Sequence, residues 1–362
     1  MGVRAVSDNG CIAEKLLGWY AQARRDLPWR RTRDPYCIWV SEIMLQQTRV
    51  ETVKAYYHRF LLRLPDVRAL ADAPEQDVLK LWEGLGYYSR ARNMQRAARM
   101  IVSQCDGVFP PSYEALLTLP GIGAYTAGAV ASIAFGLPTP AVDGNVKRVA
   151  ARVFGIRAPI NSKPAQAMVA QTLTAILQTC DAGQFNQALM ELGATLCAPR
   201  APQCDACPLC SLCDASREGD AESLPMQAAK QPPKTLDMGV CILTWDGRTL
   251  LLRRQERLLH GLYVFWLAEG DTDAYGLKGL LQEEGLRATH RAALGEATHV
   301  FTHRIWRMTL HHFLLDAPPS AAWLAAHDAV LADARDIRAL PLPTAMKAAR
   351  QEALALLENG LV

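Results

Sequence analysis

The sequence lacks the features that mark membrane and secreted proteins. None of its apolar runs reaches the length that spans a bilayer. The first residues, MGVRAVSDNGCIAEKLL, contain no apolar stretch followed by a small-residue cleavage site. Internal repeats and low-complexity tracts are absent as well. We therefore expect a protein of the cytoplasm that does not act at a membrane.

The excess of basic over acidic residues is also small. The 362 residues carry 39 Lys and Arg against 36 Asp and Glu, a net charge of +3. Residues 1–216, however, hold 23 of these basic residues and 18 of the acidic ones, so the excess lies in the front half. Arginines at 24–33 and at 90–99 alternate with aromatic residues there, which suits a phosphate backbone and unstacked bases. A solvated helix face explains the second group almost as well.

Cysteine, in contrast, is plentiful and unevenly spaced. Of the ten cysteines, six are scattered or lone, which fits a reducing compartment better than a disulfide framework. The other four follow the pattern Cys-x6-Cys-x2-Cys-x5-Cys, at Cys197, Cys204, Cys207 and Cys213. Four thiolates in one short loop can close around a single inorganic centre, and these unequal gaps favour a [4Fe-4S] cluster. A structural zinc site is the alternative, although zinc modules more often show two short paired gaps.

The pattern of apolar and polar residues along the chain predicts two domains. Residues 1–216 show helical apolar spacing and little β-branched alternation, so we predict an all-α domain. Residues 217–235 are polar, end in a proline pair and are typical of an interdomain linker. Residues 236–362 contain the strand candidates MGVCILTW, TLLLRR and TLHHFLL, an Asp246-Gly247 turn and a closing helix in AMKAARQEALALLENG. This second domain is therefore predicted to be α+β.

A glycine-bearing turn joins two helical stretches in LTLPGIGAYTAGAVASIAFG, residues 117–136. Gly121 and Gly123 let the backbone turn tightly, and the second helix then begins with unpaired amides that face outward. Such a helix start binds phosphate without reading base sequence. An ordinary turn between two packed helices explains the motif equally well.

Two carboxylates are candidates for chemistry. Glu42 lies in the apolar stretch WVSEIMLQQ, where burial would raise its pKa and keep a proton on it. A buried, hydrogen-bonded structural glutamate is the alternative. Asp143 precedes Gly144 and Asn145 at a predicted helix start, where a carboxylate can be positioned and kept ionised. Helix capping by Asp143 is compatible with a chemical role.

These motifs together resemble the adenine DNA glycosylase (MutY) family, within the helix-hairpin-helix superfamily that includes endonuclease III. Residues 14–213 contain LPWR, SEIMLQQT, LWEGLGYYSRARN, LPGIGAYTAG, VDGNVKRV, FNQALMELG and the cysteine loop in unbroken order. The resemblance implies a base excision repair enzyme that removes adenine opposite 8-oxoguanine or guanine in double-stranded DNA. It further implies a nucleoid-associated monomer, and in this family a monovalent cation often binds the hairpin carbonyls.

The resemblance also implies roles for the site residues. Glu42 would protonate N7 of adenine so that the base leaves neutral, and would then guide the attacking water. Asp143 would stabilise the positive charge that develops on the deoxyribose, with Asn145 orienting Asp143 or the water. This chemistry needs one protonated and one ionised carboxyl, so we expect environments that drive the two pKa values apart.

Tyr125 distinguishes two branches of the superfamily. The bifunctional endonuclease III type has a lysine two residues after the second hairpin glycine, and its amine forms a Schiff base and later cuts the strand. Tyr125 occupies that position here and cannot form the adduct. We therefore predict base removal without an efficient lyase step, and Lys147 does not occupy the family's Schiff-base position. A pyrimidine glycosylase with lyase activity is the disfavoured alternative.

Several further residues resemble contacts of the family with DNA. Tyr87 would insert beside the lesion while adenine flips out, although a core aromatic is the plainer interpretation. Gln46 and Gln47 would probe the opened duplex. Residues that resemble the lining of the adenine pocket are Trp29, Arg30, Leu45, Gln187 and Arg25. A glutamate can stand at position 187 in this family, which leaves the contact of Gln187 with adenine open.

The back half resembles the Nudix-like domain that ends adenine glycosylases, on the segments GLYVFW and ATHVFTHRIWRM. The resemblance makes Phe301, Thr302 and His303, with His299 alongside, the loop that reads 8-oxoguanine in the opposite strand. A Nudix pyrophosphohydrolase is another function class, but it needs three carboxylates for magnesium. The nearest stretch, residues 278–285, lacks two of the three, so we expect no such activity.

Overall fold

The computed structural model describes residues 6–227, 232–270 and 273–359 and divides into two compact units. The first unit comprises the described residues up to Ala73 and from Arg92 to 227. The second comprises Pro74–Ala91 and the described residues from 232 onward. No helix within these described ranges is long and apolar enough to cross a membrane.

The chain is helical up to Glu218, as the sequence predicts. The helices are α1 Val6–Ala23, α2 Pro35–Leu45, α3 Val50–Arg63, α4 Val67–Asp72, α5 Glu75–Leu81, α6 Ser89–Cys105, α7 Tyr113–Leu117, α8 Ala124–Phe135, α9 Gly144–Val153, α10 Lys163–Leu177, α11 Ala182–Thr195 and α12 Asp214–Glu218. Short 3-10 turns cover Pro28–Arg30, Cys204–Ala206, Cys210–Leu212 and Ala221–Ser223.

Side-chain caps set the starts of the helices that carry the site. Asp34 accepts hydrogen bonds from the first amides of α2, which has Pro35 at its first position. Asp143 caps α9 in the same way, and Asp181 caps α11 by accepting from the amide of Gln184. These caps satisfy amides that have no partner inside a helix.

Helices α1, α9, α10 and α11 share one apolar core of the first unit. Leu16 of α1, Leu173 of α10 and Phe185 of α11 are each at most 1% exposed. Leu209 from the cysteine loop belongs to the same cluster, and the side chains of Cys197, Cys207 and Cys213 pack against it. Burying each large apolar side chain contributes about 2 kcal/mol, so this core anchors the cysteine loop as well as the helices.

The second unit contains a mixed sheet with helices on both faces. Its strands are β1 Lys234–Trp245, β2 Arg248–Arg253, β3 Tyr263–Val264, β4 Trp266–Glu269, β5 Ala288–Val300, β6 Arg304–Leu315 and β7 Ala329–Ala332, and its later helices are α13 Ala274–Glu283, α14 Ala321–Ala326, α15 Ala334–Ala339 and α16 Lys347–Glu358. The strand order is β3-β2-β1-β6-β5, with β4 paired to β1 and β7 to β2. Strands β1 and β6 run parallel, and the other pairs are antiparallel.

Strand β1 is buried on both faces, which explains its continuous apolar run. Val240 and Ile242 contact the cluster that includes α15 and α16. Cys241 and Leu243 point the other way, into the cluster that includes α13. Successive residues of a strand face opposite sides, so only a sheet covered on both sides buries all four.

The three predicted strands, the turn and the closing helix are present. Asp246 and Gly247 both have positive φ, 44° and 71°, as a two-residue hairpin turn requires. Strand β5 escapes sequence-based prediction because its alanine, glycine and histidine residues have weak strand propensity. Residue 360, at the end of the predicted closing helix, lies outside the described residues.

The domain boundaries in the structure differ from those predicted. Residues 217–227 belong to the first unit, where Leu224 is 2% exposed and its carbonyl accepts a bond of 3.0 Å from Arg152 Nε. Residues 228–231 of the predicted linker lie outside the described residues. Residues 74–91 group with the second unit, where Arg350 pairs with Glu83. Composition alone does not reveal such packing.

Candidate active site

Glu42 lies on α2 with its side chain enclosed. It is 5% exposed, and its neighbours on α2 from Ile38 to Met44 are all buried. The phenol of Tyr125 donates a hydrogen bond to Glu42 Oε2. Burial raises the pKa of Glu42 to about 7, although the hydrogen bond from Tyr125 lowers it. The nearby Asp143 raises this pKa further and Arg30 lowers it.

Tyr125 stands in the first turn of α8, directly after the hairpin. Burial and the nearby carboxylates of Glu42 and Asp143 raise the pKa of its phenol, so Tyr125 stays protonated and can donate. Lys147 Nζ donates to Asn161 Oδ1 at 2.9 Å. The structure therefore brings Glu42, Tyr125 and Asp143 together.

Asp143 is held by several donors at the start of α9. Its Oδ1 accepts from the amide of Val146 at 2.7 Å, and its Oδ2 accepts from Asn145 Nδ2 at 3.1 Å. Arg148 donates to Asn145 Oδ1 at 2.9 Å, which turns the Asn145 amide nitrogen toward the carboxylate. Arg148 also donates to the carbonyls of Gly193 and Cys197, each at 2.8 Å. Asp143 is thus oriented through Asn145 and Arg148.

The pKa values of the two carboxyls are not driven in opposite directions, contrary to expectation. Burial raises the pKa of Asp143 as it raises that of Glu42, although the hydrogen bonds from Val146 and Asn145 lower it. The difference lies in the donors: Asp143 accepts from two N–H groups, whereas Glu42 accepts from one hydroxyl. Desolvation raises the pKa at both sites, and the hydrogen bonds to Asp143 together with the positive charge of Arg148 oppose it there.

The four spaced cysteines line one cavity. Its wall includes Cys197, Cys204, Cys207 and Cys213, and Cys210 is there too. Arg152 is 1% exposed, and its Nη1 donates to Cys197 Sγ at 3.2 Å and to the carbonyl of Ala198 at 2.7 Å. Among the described residues, no three His, Cys, Asp or Glu side chains converge closely enough to hold a single metal ion.

Two predicted adenine-pocket residues, Arg25 and Arg30, bind a buried carboxylate that the sequence did not single out. Glu191 of α11 is fully buried and receives Arg25 through Nε at 2.8 Å and Nη2 at 2.7 Å, and Arg30 through Nη2 at 2.7 Å. Gln187 lies one turn earlier on α11, where its Oε1 accepts from Tyr20 at 3.5 Å. Much of the basic cluster at 24–33 is therefore paired within the protein.

Trp29 and Leu45, which are also predicted for the pocket, lie in the 3-10 turn and at the end of α2. Trp29 is buried in the 3-10 turn and packs edge-on against Tyr57 at 5.5 Å between ring centroids. Leu45, at the end of α2, is half-buried. Gln46 Nε2 donates to Thr126 Oγ1 at 3.2 Å, and Gln47 is exposed with a positive φ of 59°. A non-glycine residue in this backbone region is uncommon and marks a constrained position.

The hairpin between α7 and α8 has the tight turn that its glycines predict. Gly121 has φ 78°, and a Cβ placed there would lie 2.6 Å from Cβ of Asn93. Gly123 is the N-cap residue of α8, and it provides no side-chain hydrogen bond to the first amides of the helix. Position 121 therefore requires glycine for both its conformation and its space.

A second group of predicted residues lies together in the second unit. The turn between β5 and β6 holds Phe301, Thr302 and His303, and Thr302 Oγ1 lies 2.6 Å from Tyr87 Oη in a hydrogen bond. His299 packs edge-on against Phe301 at 4.5 Å between centroids, and burial lowers its pKa. Tyr87 is 47% exposed, with a positive φ of 48°. It is therefore not a core aromatic.

One acidic residue in the degenerate Nudix stretch, Glu284, contacts tryptophan side chains. Glu284 Oε2 accepts a hydrogen bond of 2.8 Å from the indole nitrogen of Trp266. Its backbone carbonyl accepts another from Trp323 at 2.8 Å. Glu284, which stands at a variable position of the motif, thus contacts two tryptophans, whereas Glu283, the one carboxylate kept at a motif position, is exposed.

Comparisons with known proteins identify the family of this chain. A family model described as HhH-GPD superfamily base excision DNA repair protein matches residues 40–176, and a NUDIX domain model matches residues 239–352. Human adenine DNA glycosylase is 36% identical over 397 aligned positions, which cover 90% of this chain and 72% of the human protein. The chain belongs to the adenine DNA glycosylase family. It is accordingly an enzyme that acts on N-glycosyl bonds.

Other relatives and structures extend the comparison. Mouse adenine DNA glycosylase is 36% identical over 384 positions, which cover 88% of this chain and 75% of that protein. A solved thermostable thymine-DNA glycosylase matches with TM-score 0.54 at 31% identity, covering 59% of this chain and 98% of the other. An endonuclease III–DNA complex has the same fold, with TM-score 0.51 at 24% identity, covering 60% of this chain and 99% of the other.

This member of the adenine DNA glycosylase family places three residues in the site that sequence reasoning missed. Glu191 holds Arg25 and Arg30, Arg148 orients Asn145, and Arg152 contacts the cysteine loop. Glu191 lies in the motif FNQALMELG and Arg148 in VDGNVKRV. The sequence signal for Glu191 is a carboxylate inside an apolar helical motif, because a buried carboxylate needs a partner of opposite charge.

Proposed function

We propose that the chain hydrolyses the N-glycosidic bond of adenine mispaired with 8-oxoguanine, or with guanine, in double-stranded DNA and leaves an abasic site. One observation carries the proposal: a buried Glu42, hydrogen-bonded by Tyr125, lies near the capped Asp143. Cleavage of a glycosidic bond through a cation-like transition state uses such a pair of carboxyl groups.

Glu42 is the general acid in this mechanism. Because burial raises its pKa to about 7, a large fraction of Glu42 carries a proton near neutral pH. Transfer of that proton to N7 of adenine lets the base leave as a neutral species. The resulting carboxylate then accepts a proton from the attacking water or guides its approach.

Asp143 stabilises the positive charge that develops on the deoxyribose. Its carboxylate is held in place by Val146 and Asn145, so it needs no rearrangement when the charge appears. Asn145 acts as the residue that positions Asp143. Arg148 fixes the Asn145 amide in turn.

The reaction stops at the abasic site. A Schiff base requires an amine at the sugar, and Tyr125 presents a phenol to Glu42 there instead. Lys147, the nearest alternative in the motif, is bonded to Asn161. We therefore expect strand cleavage only after alkali.

A [4Fe-4S] cluster fits the cysteine loop. Four thiols surround one shared cavity without converging on a single point, and the Arg152 guanidinium supplies an N–H donor to Cys197 sulfur. Cys197, Cys204, Cys207 and Cys213 would hold the cluster. When bound, it supplies a rigid anchor for a DNA-contacting loop and no step of the hydrolysis.

The phosphate backbone of duplex DNA binds at the hairpin. The uncapped amides at the start of α8 suit a phosphate, and the hairpin carbonyls suit a monovalent cation of the kind found in this family. Gln46 and Gln47 probe the opened pair. The exposed Tyr87 inserts beside the lesion while adenine enters the pocket near Trp29, Arg30 and Leu45.

The second unit accounts for the choice of mispair. Phe301, Thr302 and His303, with His299, form the loop that reads 8-oxoguanine opposite the adenine. The bond between Thr302 and Tyr87 supports this assignment, because it joins the reading loop to the inserted side chain. We expect the protein to act as a monomer on nucleoid DNA in the cytoplasm.

An excision assay on defined duplexes tests the proposal. Duplexes with adenine opposite 8-oxoguanine, adenine opposite thymine and thymine glycol opposite adenine are incubated with the protein and analysed before and after alkali. We expect product from the first duplex only, and only after alkali. Cleavage before alkali would contradict the monofunctional mechanism, and no product from the first duplex would contradict the substrate.

A further inference from the structure

A fully buried carboxylate lies behind the candidate adenine pocket. Glu191 Oε1 accepts from the Arg25 amide at 3.0 Å and from Arg25 Nε at 2.8 Å. Its Oε2 accepts from Arg25 Nη2 and Arg30 Nη2, both at 2.7 Å. Two guanidinium groups therefore share one carboxylate, and the trio of Glu191, Arg25 and Arg30 carries a net charge of +1.

This trio fixes the orientation of Arg30. Besides its bond to Glu191, Arg30 donates through Nη1 to the carbonyl of Arg25 at 3.1 Å. Its guanidinium lies 5.5 Å from the ring centroid of Tyr20, and the Tyr20 hydroxyl reaches Gln187 Oε1. The side chain of Arg30 is only 11% exposed, so these contacts leave it one position.

The position of Arg30 matters because its charge acts on Glu42. The groups that act on the Glu42 carboxyl are Tyr125 from α8, Asp143 at the start of α9 and Arg30 from the 3-10 turn. Arg30 supplies the positive charge among them, and a positive charge favours the ionised form of Glu42. A general acid must instead keep its proton until adenine accepts it.

We propose that Glu191 is a positioning residue for adenine excision, which holds Arg30 at the pocket wall and balances its charge so that Glu42 retains its proton. This inference rests on the proposed function of Glu42 as the acid. Glu191 acts through Arg30 and touches no reacting atom. A purely structural ion pair would stabilise the fold alike, but would leave the pH dependence of excision unchanged.

Charge-changing variants separate these two roles. Excision of adenine opposite 8-oxoguanine is measured under single-turnover conditions across the titration of Glu42, which centres on about pH 7. Glu191→Gln leaves two arginines beside the pocket without a balancing charge, which favours the ionised form of Glu42. The alkaline limb of the pH–rate profile, where Glu42 loses its proton, should therefore move to lower pH by roughly half to one unit. In Arg25→Gln, Glu191 pairs with Arg30 alone and the net positive charge of the trio is lost. The alkaline limb should therefore move to higher pH.

The double variant Glu191→Gln/Arg25→Gln restores the net charge of the trio and is the matched control. Its alkaline limb should return toward that of the unmodified protein, even if its maximal rate is lower. This variant and Arg25→Gln also keep the test valid if Glu191→Gln does not fold, because neither leaves a buried arginine pair unbalanced. Circular dichroism of each variant establishes folding.

The outcomes distinguish the inference from the proposed function. Folded Glu191→Gln with an alkaline limb at the unmodified position would overturn the inference, and so would an Arg25→Gln limb that does not rise. If the unmodified protein excises no adenine from this duplex, the proposed function fails before any variant is compared. If it excises adenine without an alkaline limb near neutral pH, the acid role of Glu42 fails instead.

Discussion

The phenol of Tyr125 donates a hydrogen bond to the carboxylate of Glu42, across 83 positions of sequence. The hairpin sets this contact, because Gly123 ends the turn and Tyr125 follows in the first turn of α8. The same position would carry a lysine in a lyase of this superfamily. In the proposed mechanism, Tyr125 thus lowers the pKa of the acid Glu42 and stands in place of the amine that strand cleavage needs.

Loss of the Tyr125 hydroxyl should raise the pKa of Glu42. The hydrogen bond stabilises the Glu42 carboxylate and lowers its pKa, so Tyr125→Phe should raise that pKa above about 7. Because the protonated form is active, the alkaline limb of single-turnover excision should move to higher pH. Tyr275→Phe, at a 90% exposed phenol of the second unit, is the control. A limb that moves to lower pH would contradict the assignment.

A methyl group at Gly193 should displace Asn145. A Cβ at Gly193 would lie 2.6 Å from Cβ of Asn145, closer than two carbons can pack. Asn145 would move and release Asp143, so we expect Gly193→Ala to slow excision by at least about tenfold. Single-turnover rates on the mispaired duplex measure the effect.

Gly18→Ala is the matched helix control for this change. A Cβ at Gly18 on α1 meets nothing within 4 Å, so alanine there should keep activity and stabilise the helix by about 1 kcal/mol. An unimpaired Gly193→Ala would show that the position of Asn145 is not critical.

Two serine substitutions test the cysteine assignment. Cys204→Ser should lose the visible absorption and the iron of a [4Fe-4S] cluster, because it removes one of four spaced thiols. Cys210→Ser should keep both, since the Cys210 thiol contacts Ser216 Oγ at 3.2 Å and falls outside the spacing. Equal loss in both variants would count against the predicted set, and zinc in place of iron would favour the alternative metal.

The hydroxyl pair in the second unit should affect mispair selectivity. Thr302→Val removes the partner of the Tyr87 hydroxyl at 2.6 Å, so the reading loop loses its link to the inserted side chain. We expect the ratio of excision rates opposite 8-oxoguanine and opposite guanine to fall. Thr298→Val, on the exposed face of β5, should leave the ratio unchanged. An unchanged ratio in Thr302→Val would remove Thr302 from the reading loop.

Local sequence signals were sufficient for much of this site. Glu42 is buried because most of its neighbours on α2 are apolar, and Asp143 caps α9 because aspartate before Gly144 favours a helix start. Both features depend on residues within a few positions of the chain. Sequence patterns of this kind also predict the fold class and the strands β1, β2 and β6 of the second unit.

The remaining features depend on contacts between distant segments. Glu191 reaches Arg25 across 166 positions, and no local pattern indicates that pairing. The raised pKa of Asp143 comes first from burial by other helices, which a helix start read in isolation does not reveal. The packing of residues 217–227 on the first unit likewise depends on Arg152 and its partners. Tertiary burial, rather than composition, decides each of these.

The most direct measurement is single-turnover excision by Glu42→Gln from a duplex with adenine opposite 8-oxoguanine, analysed after alkali. A glutamine has no proton to give, so we expect excision to fall by about 10² to 10⁴-fold while binding to the duplex is retained. Glu14→Gln, at an exposed glutamate of α1, should match the unmodified protein. Undiminished excision by Glu42→Gln would contradict the central claim that this carboxyl is the acid.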